Sequence, residues 1–181
     1  MSFVVFEPRR RAARHTFRTV AVSLYALVAF AAAASYASAG SLTRQVDVAA
    51  PAQKVWSDIG GFCAIKDWHP LVGVCVMDGK APPTRTLVTK DGKVSFVETE
   101  MARDDAKHLY SYNFVASPLP APKYLGTIRV VAKSTTTSTI VWHGDYAAEP
   151  GQDKAVEGAL ANVYETGLAA LKAKYAHGGG D

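Results

Sequence analysis

Apolar residues along this chain follow two rhythms. From Leu42 to Ala50 they come at every second position. Leu42, Val46, Val48 and Ala50 alternate with Thr43, Gln45 and Asp47, as a half-buried strand requires. Pro51 suits the first turn of a helix, where its missing N–H costs nothing. Ala52, Val55, Trp56 and Ile59 then fall on one helical face, and Gly60-Gly61 ends the run. Phe62–Asp67 predicts one more short helix. Trp68-His69-Pro70 stops it, because the residue before a proline avoids helical geometry.

From Leu71 the two-residue rhythm returns. Leu71–Asp78, Thr84–Lys90, Lys93–Met101, Leu109–Ala116, Tyr124–Lys133 and Thr137–Tyr146 read as strands. Asp91-Gly92 predicts a two-residue hairpin turn with positive φ, and Pro118–Pro122 a stiff connection. Gln152–Tyr175 goes back to helical spacing. Val156, Leu160, Val163, Gly167 and Leu171 form a stripe, widened by Ala159, Tyr164, Leu168 and Tyr175. Asp153 and Glu157 lead and Lys172 and Lys174 close, which suits the helix dipole. The order is strand, two short helices, six strands, one long helix. It predicts an α+β domain. Consecutive strands joined by short turns pair antiparallel, and the striped helix must pack on one face of their sheet. Seven twisted strands curved around one helix can leave a hollow between them.

Charge sharpens this picture. Of 20 Lys+Arg and 16 Asp+Glu, residues 1–39 hold five arginines and one acid, which leaves 15 of each sign in the rest. The formal +4 therefore sits in the first segment. A neutral remainder argues against nucleic acid as a partner, which needs a basic stripe. Composition excludes disorder, collagen and coiled coil, with 49% hydrophobic and 20% charged residues. The arginines precede an apolar run, Val20–Ala34, and then Ser35-Tyr36-Ala37-Ser38-Ala39, with small residues at −3 and −1 before Gly40. Those are the three parts of a secretory signal peptide. Residues 1–39 read as that leader, cleaved to release a periplasmic or secreted protein. Uncleaved, residues 20–39 are long enough to anchor the chain in a membrane. The domain then runs over residues 40–176, and residues 177–181 form a flexible tail.

Two cysteines occur, Cys63 and Cys75. In an exported chain such a pair predicts a disulfide, worth up to about 3 kcal/mol if unstrained. Two buried thiols are the alternative. Zinc is not expected, since no matching His pair occurs. Neither a His/Asp cluster nor a glycine-rich phosphate loop nor a G-x-S-x-G elbow is present, so the reading carries no metal and no cofactor.

Several residues could carry chemistry. Glu98 shares a strand face with Val94 and Phe96. If that face is concave, a carboxylate points into an apolar hollow, where desolvation raises its pKa. It could act as acid or base, or hydrogen-bond a ligand hydroxyl or amine. The bland alternative is a carboxylate paired with Arg85 or Arg129. Tyr110, Tyr112 and Phe114 share a face, as do Trp142 and Tyr146 on another strand. Such rings offer large apolar area with a few donors, which suits a pocket and equally a core. Tyr124 and Tyr164 are further candidates for the wall and the helix side. His69, after Trp68, stands where it could be a general base, a ligand group or a cap on loop backbone. His108 and His143 read as solvent-facing.

The order of elements resembles the helix-grip fold of the START/Bet v 1-like (SRPBCC) superfamily, in its polyketide cyclase/dehydrase-like branch. The residues behind the resemblance are Val46–Trp56, Trp68-His69-Pro70, Glu98 with Asp104-Asp105, and Tyr110-Ser111-Tyr112. Pro118-Leu119-Pro120 with Tyr124, Thr139–Trp142, and the Tyr164, Gly167-Leu168 and Leu171-Lys172 helix complete it. It implies a cavity for an apolar or amphipathic small molecule, and a cavity position for Glu98. Its leader, size and fold also make it similar to the MxaD-type periplasmic accessory proteins of bacterial methanol oxidation. Three functions follow as expectations. The first is an exported binding protein whose ligand meets Trp68, Phe96, Glu98, Tyr110, Tyr112, Phe114, Tyr124, Trp142 and Tyr164. The second is a cyclase or dehydratase (a lyase) with Glu98 as acid/base and Tyr112 or His69 assisting. The third is an accessory protein that docks to a periplasmic dehydrogenase or electron-transfer partner.

Overall fold

The computed structural model describes residues 38–176; the leader and tail readings lie outside the described residues, apart from Ser38 and Ala39, which open the first strand. The elements follow the expected order. Strand β1 (Ser38–Val48) leads into helix α1 (Ala52–Ile59) and the single turn α2 (Ile65–Trp68). Strands β2 (Val72–Met77), β3 (Thr84–Thr89), β4 (Ser95–Asp104), β5 (Leu109–Ala116), β6 (Lys123–Ala132) and β7 (Ser138–Ala148) follow, and helix α3 (Asp153–Lys174) closes the chain. All pairings are antiparallel, in the order β1-β7-β6-β5-β4-β3-β2. This is the α+β helix-grip arrangement, a seven-stranded sheet curved around one long helix.

Alternation decides which face each strand buries. On β7, Ile140, Trp142, Tyr146 and Ala148 are buried while Asp145 is exposed. On β6, Tyr124, Ile128 and Val130 point the same way. Their inward face meets the stripe of α3, where Val156, Leu160, Tyr164, Leu168 and Leu171 are buried. Tyr175 donates its hydroxyl to Asp58 at 2.7 Å and so ties the end of α3 to α1.

Local departures from the sequence pattern have physical causes. The second short helix is one turn, Ile65–Trp68, rather than Phe62–Asp67. Residues 62–64 form turns, and a disulfide joins Cys63 to Cys75 of β2, with 5.6 Å between the Cα atoms. Trp68 therefore ends this turn inside the helix. His69 then takes an extended conformation (φ −90°, ψ 118°), as its position before Pro70 demands. The β3–β4 connection is not a two-residue turn. It spans residues 90–93, closed by Thr89 N–H donating to the Val94 carbonyl at 2.9 Å. Only Gly92 within it has a positive φ, of 70°. The Asp91 carboxylate accepts from the Thr89 hydroxyl at 2.6 Å and from Lys93 N–H at 3.1 Å, which organises the longer loop. Strand β4 runs on to Asp104, and a single 3-10 turn (Asp105–Lys107) carries the chain into β5.

Candidate functional site

Between the concave sheet and α3 lies a cavity of about 300 Å³. Its walls are apolar for the most part: Leu87, Phe96, Phe114, Leu119, Leu160 and Val163 contribute side chains. The exposed lining residues Leu71, Pro118 and Asn162 mark its mouth. The buried ones, Glu98, Tyr112, Tyr124, Trp142 and Tyr164, mark its floor. Two polar assemblies are set into that floor.

The first is an ion pair. Arg85 on β3 lies directly across from Glu98 on β4. Arg85 is fully buried and Glu98 is 4% exposed. Both contacts reach one carboxylate oxygen: Arg85 Nε donates to Oε2 at 2.7 Å, and Nη2 lies 2.6 Å from it. The Arg85 Nη1 donates to the Phe62 carbonyl. The guanidinium also stacks 4.0 Å over the Phe62 ring and 5.1 Å from that of Tyr112, where aromatic faces favour a cation. Burial pushes the Glu98 carboxyl above its ordinary value, and Arg85 pulls it back. Burial also works against the Arg85 charge, but the carboxylate beside it holds the guanidinium above its ordinary value. An arginine does not release its proton in a protein, and its two contacts with Oε2 favour the carboxylate form of Glu98 against the effect of burial. Oε1 of Glu98 has no hydrogen-bond partner among the described residues.

The second assembly is a chain of four polar atoms. Trp142 Nε1 donates to the Tyr112 hydroxyl at 3.0 Å. The Tyr112 and Tyr124 hydroxyls are 3.2 Å apart, and those of Tyr124 and Tyr164 are 2.6 Å apart. Burial pushes all three phenols above their ordinary pKa, so each keeps its proton. Two glycines make room for them. Gly126 on β6 pairs directly with Gly144 on β7. A Cβ on Gly126 would stand 2.5 Å from Tyr112 Cζ and 2.6 Å from the Tyr124 hydroxyl. On Gly144 it would collide with the Tyr164 hydroxyl. The Trp142 and Tyr164 rings stack at 4.5 Å, and those of Phe114 and Tyr124 at 4.0 Å. Such pairs contribute roughly 0.5–1.5 kcal/mol each beyond area burial.

Residues 39–176 match the sequence pattern of the family described as polyketide cyclase / dehydrase and lipid transport. The chain belongs to that family. Solved structures agree. The protein XoxI from Bacillus cereus is 25% identical, with a TM-score of 0.72 over 76% of this chain and 96% of its own. A protein from Thermobifida fusca is 31% identical, with a TM-score of 0.67 over 75% of this chain and 92% of its own. The Zhui aromatase/cyclase from a Streptomyces species shares the fold at 15% identity, with a TM-score of 0.63 over 77% of this chain and 94% of its own. No curated protein matches the chain.

Within this family framework the structure brings most of the expected residues together. Phe96, Glu98, Tyr112, Phe114, Tyr124, Trp142, Tyr164 and His69 all line the cavity. Trp68 and Tyr110 stand outside its lining. Trp68 packs edge-on against Trp142 at 5.7 Å. Tyr110 joins Phe62 and Trp56 in a second aromatic cluster around Arg85. Glu98 lines the cavity and pairs with Arg85. Arg129 is exposed and plays no part.

His69 has no free nitrogen. Its Nδ1 accepts from Leu71 N–H at 3.2 Å, so Nε2 carries the proton, donated to the Val163 carbonyl of α3 at 2.9 Å. Gly167 permits this seat, because a Cβ there would stand 2.6 Å from His69 Cδ2. The ring thus clips the α2–β2 loop to the long helix. Burial holds its pKa below the ordinary value, Lys90 adds to that effect, and the Val163 carbonyl opposes it. As pH falls through the unfolded value near 6.5, the unfolded chain takes up a proton that the folded chain refuses, so stability falls. Urea midpoints at pH 7.5 and 5.5 should show this loss in the wild type and a flatter response in His69→Asn. Equal slopes in the two proteins would remove His69 as the cause.

Proposed function

We propose that this chain is an exported protein that holds a small apolar or amphipathic molecule in its internal cavity and does not transform it. The observation that carries the reading is a cavity of about 300 Å³ with mostly apolar walls and two polar assemblies set into its floor. Small-molecule sites have this composition. Family membership supports it, as does the likeness to XoxI at 25% identity. The basic-then-apolar leader and the Cys63–Cys75 bridge support export.

Binding is favoured over turnover by the state of the titratable groups. A general acid needs a proton to give, and the contacts from Arg85 favour the carboxylate form of Glu98. His69 is not available as a general base, because both of its nitrogens are taken by backbone. Native mass spectrometry of protein purified from its source compartment should show an added mass that is released on denaturation. Val163→Trp, which fills the cavity from its α3 wall, should lose that mass. An empty wild-type cavity overturns the reading. An empty cavity with a stoichiometric enzyme partner in the same preparation would support the accessory role instead.

A further inference from the structure

We propose that the ligand is a neutral molecule whose polar end is a hydroxyl group, which accepts a hydrogen bond from Tyr164 and donates one to Glu98. This deepens the cavity-binding reading and rests on it.

Counting protons gives the donor. Three tyrosine hydroxyls carry three protons, and the two hydroxyl–hydroxyl contacts, Tyr112 with Tyr124 and Tyr124 with Tyr164, use two of them. Whichever way those contacts run, one O–H proton has no acceptor among the described residues. Trp142 Nε1–H enters the chain at Tyr112. When every hydroxyl passes its proton onward from there, the surplus proton falls on Tyr164, at the far end. Tyr164 is 1% exposed and lines the cavity. A buried donor left unmatched costs about 1–3 kcal/mol, so a ligand acceptor here is strongly favoured.

The acceptor comes from the ion pair. Arg85 engages Oε2 of Glu98 and leaves Oε1 without a partner, in a side chain that lines the same cavity. The floor therefore offers one O–H donor and one carboxylate acceptor in an apolar room. A hydroxyl group matches both at once, since it carries one proton and two lone pairs.

Other polar ends match less well. A carboxylate would confront the Glu98 oxygen, and Arg85 is not among the residues that line the cavity. An ammonium would add net charge to a pair that already balances, and would leave the Tyr164 proton unmatched. A ketone satisfies Tyr164 but not Glu98, and a hydrocarbon satisfies neither.

Fluorescence titration of the purified chain with 2-naphthol, naphthalene and 2-naphthoate separates these cases. The three share one ring system and differ in the polar end. The wild type should bind 2-naphthol roughly tenfold or more tighter than naphthalene, as one neutral and one charge-assisted hydrogen bond imply, and should bind 2-naphthoate most weakly. Tyr164→Phe and Glu98→Gln should each reduce the preference for 2-naphthol over naphthalene. Equal wild-type affinity for 2-naphthol and naphthalene overturns the hydroxyl assignment and leaves the cavity reading standing. Tightest binding of 2-naphthoate overturns the assignment as well. Full retention of the preference in both variants overturns the roles of Tyr164 and Glu98. No binding of any of the three overturns both the assignment and the cavity reading.

Discussion

Arg85→Met should destabilise the fold by about 3–5 kcal/mol, the usual cost of removing one partner from a buried ion pair. Arg85 is fully buried and holds four groups together: Glu98 Oε2, the Phe62 carbonyl, and the ring faces of Phe62 and Tyr112. Without it, a carboxylate and a carbonyl lose their partner in an apolar interior. Domains of this size are stable by roughly 5–15 kcal/mol, so the variant should lie near the edge of folding at ambient temperature. The control is the double variant Arg85→Met/Glu98→Leu. Removing both charges in favour of apolar volume is often close to neutral, so the double variant should be more stable than the single one. Urea denaturation of the wild type, the two single variants Arg85→Met and Glu98→Leu, and the double variant checks this. If the double variant is as unstable as the sum of the two single changes, the loss comes from packing around Arg85 and not from the stranded carboxylate.

Gly144→Ala should cost about 1–3 kcal/mol, in the range of overpacked cores, although it adds only one methyl group to a strand. The φ of Gly144 is ordinary, since the positive-φ glycines are Gly79, Gly92 and Gly151. Space is therefore the whole argument. The new Cβ meets the Tyr164 hydroxyl, with Tyr124 Cε2 at 3.0 Å as the next neighbour. Tyr164 must swing away, which breaks its 2.6 Å contact with Tyr124 and its stack on Trp142. Adding Tyr164→Phe removes the colliding oxygen, so Gly144→Ala/Tyr164→Phe should be more stable than Gly144→Ala alone. Gly158→Ala gives the opposite sign for comparison. It lies in α3 with nothing within 4 Å of where the new methyl group would stand, and alanine there should stabilise the helix by up to about 1 kcal/mol. Thermal unfolding of the wild type and these three variants decides the matter. A double variant no better than Gly144→Ala would show that the hydroxyl is not what the methyl group strikes.

Most of the architecture is legible in the sequence because one face of each element is buried. Alternation in β1, β6 and β7 and the stripe of α3 specify the sheet and the helix that covers it. The β3–β4 loop departs from expectation because Asp91-Gly92 resembles a two-residue turn, whereas the Asp91 carboxylate serves Thr89 and Lys93 in a four-residue loop. The aromatic wall is visible as rings on shared faces, but alternation alone cannot separate cavity from core. Tyr110 and Tyr112 share a strand face, yet Tyr110 falls among Trp56 and Phe62 while Tyr112 reaches the floor. The division depends on where α1 and α2 sit. Arg85 is visible only as one of two partners for Glu98, because a buried arginine looks like any other charge in sequence. The glycine pair does carry a signal that periodicity passes over. Gly126 and Gly144 occupy inward positions flanked on the same face by large residues, Tyr124 and Ile128 on β6 and Trp142 and Tyr146 on β7, and a glycine there marks the close approach of another group.

The division between mouth and floor also separates the kinetics of exchange from affinity. The floor is sheet apart from Tyr164 of α3, with its tyrosines seated over paired glycines. The mouth is lined by Leu71, Thr89, Val94, Pro118, Leu119 and Asn162, which come from loops, strand ends and one face of α3. A molecule entering or leaving passes the mouth both ways. Changes there should scale association and dissociation rates together and leave the equilibrium almost untouched. Changes at the floor act after entry, so they should appear chiefly in residence time, as affinity differences among related complexes generally do.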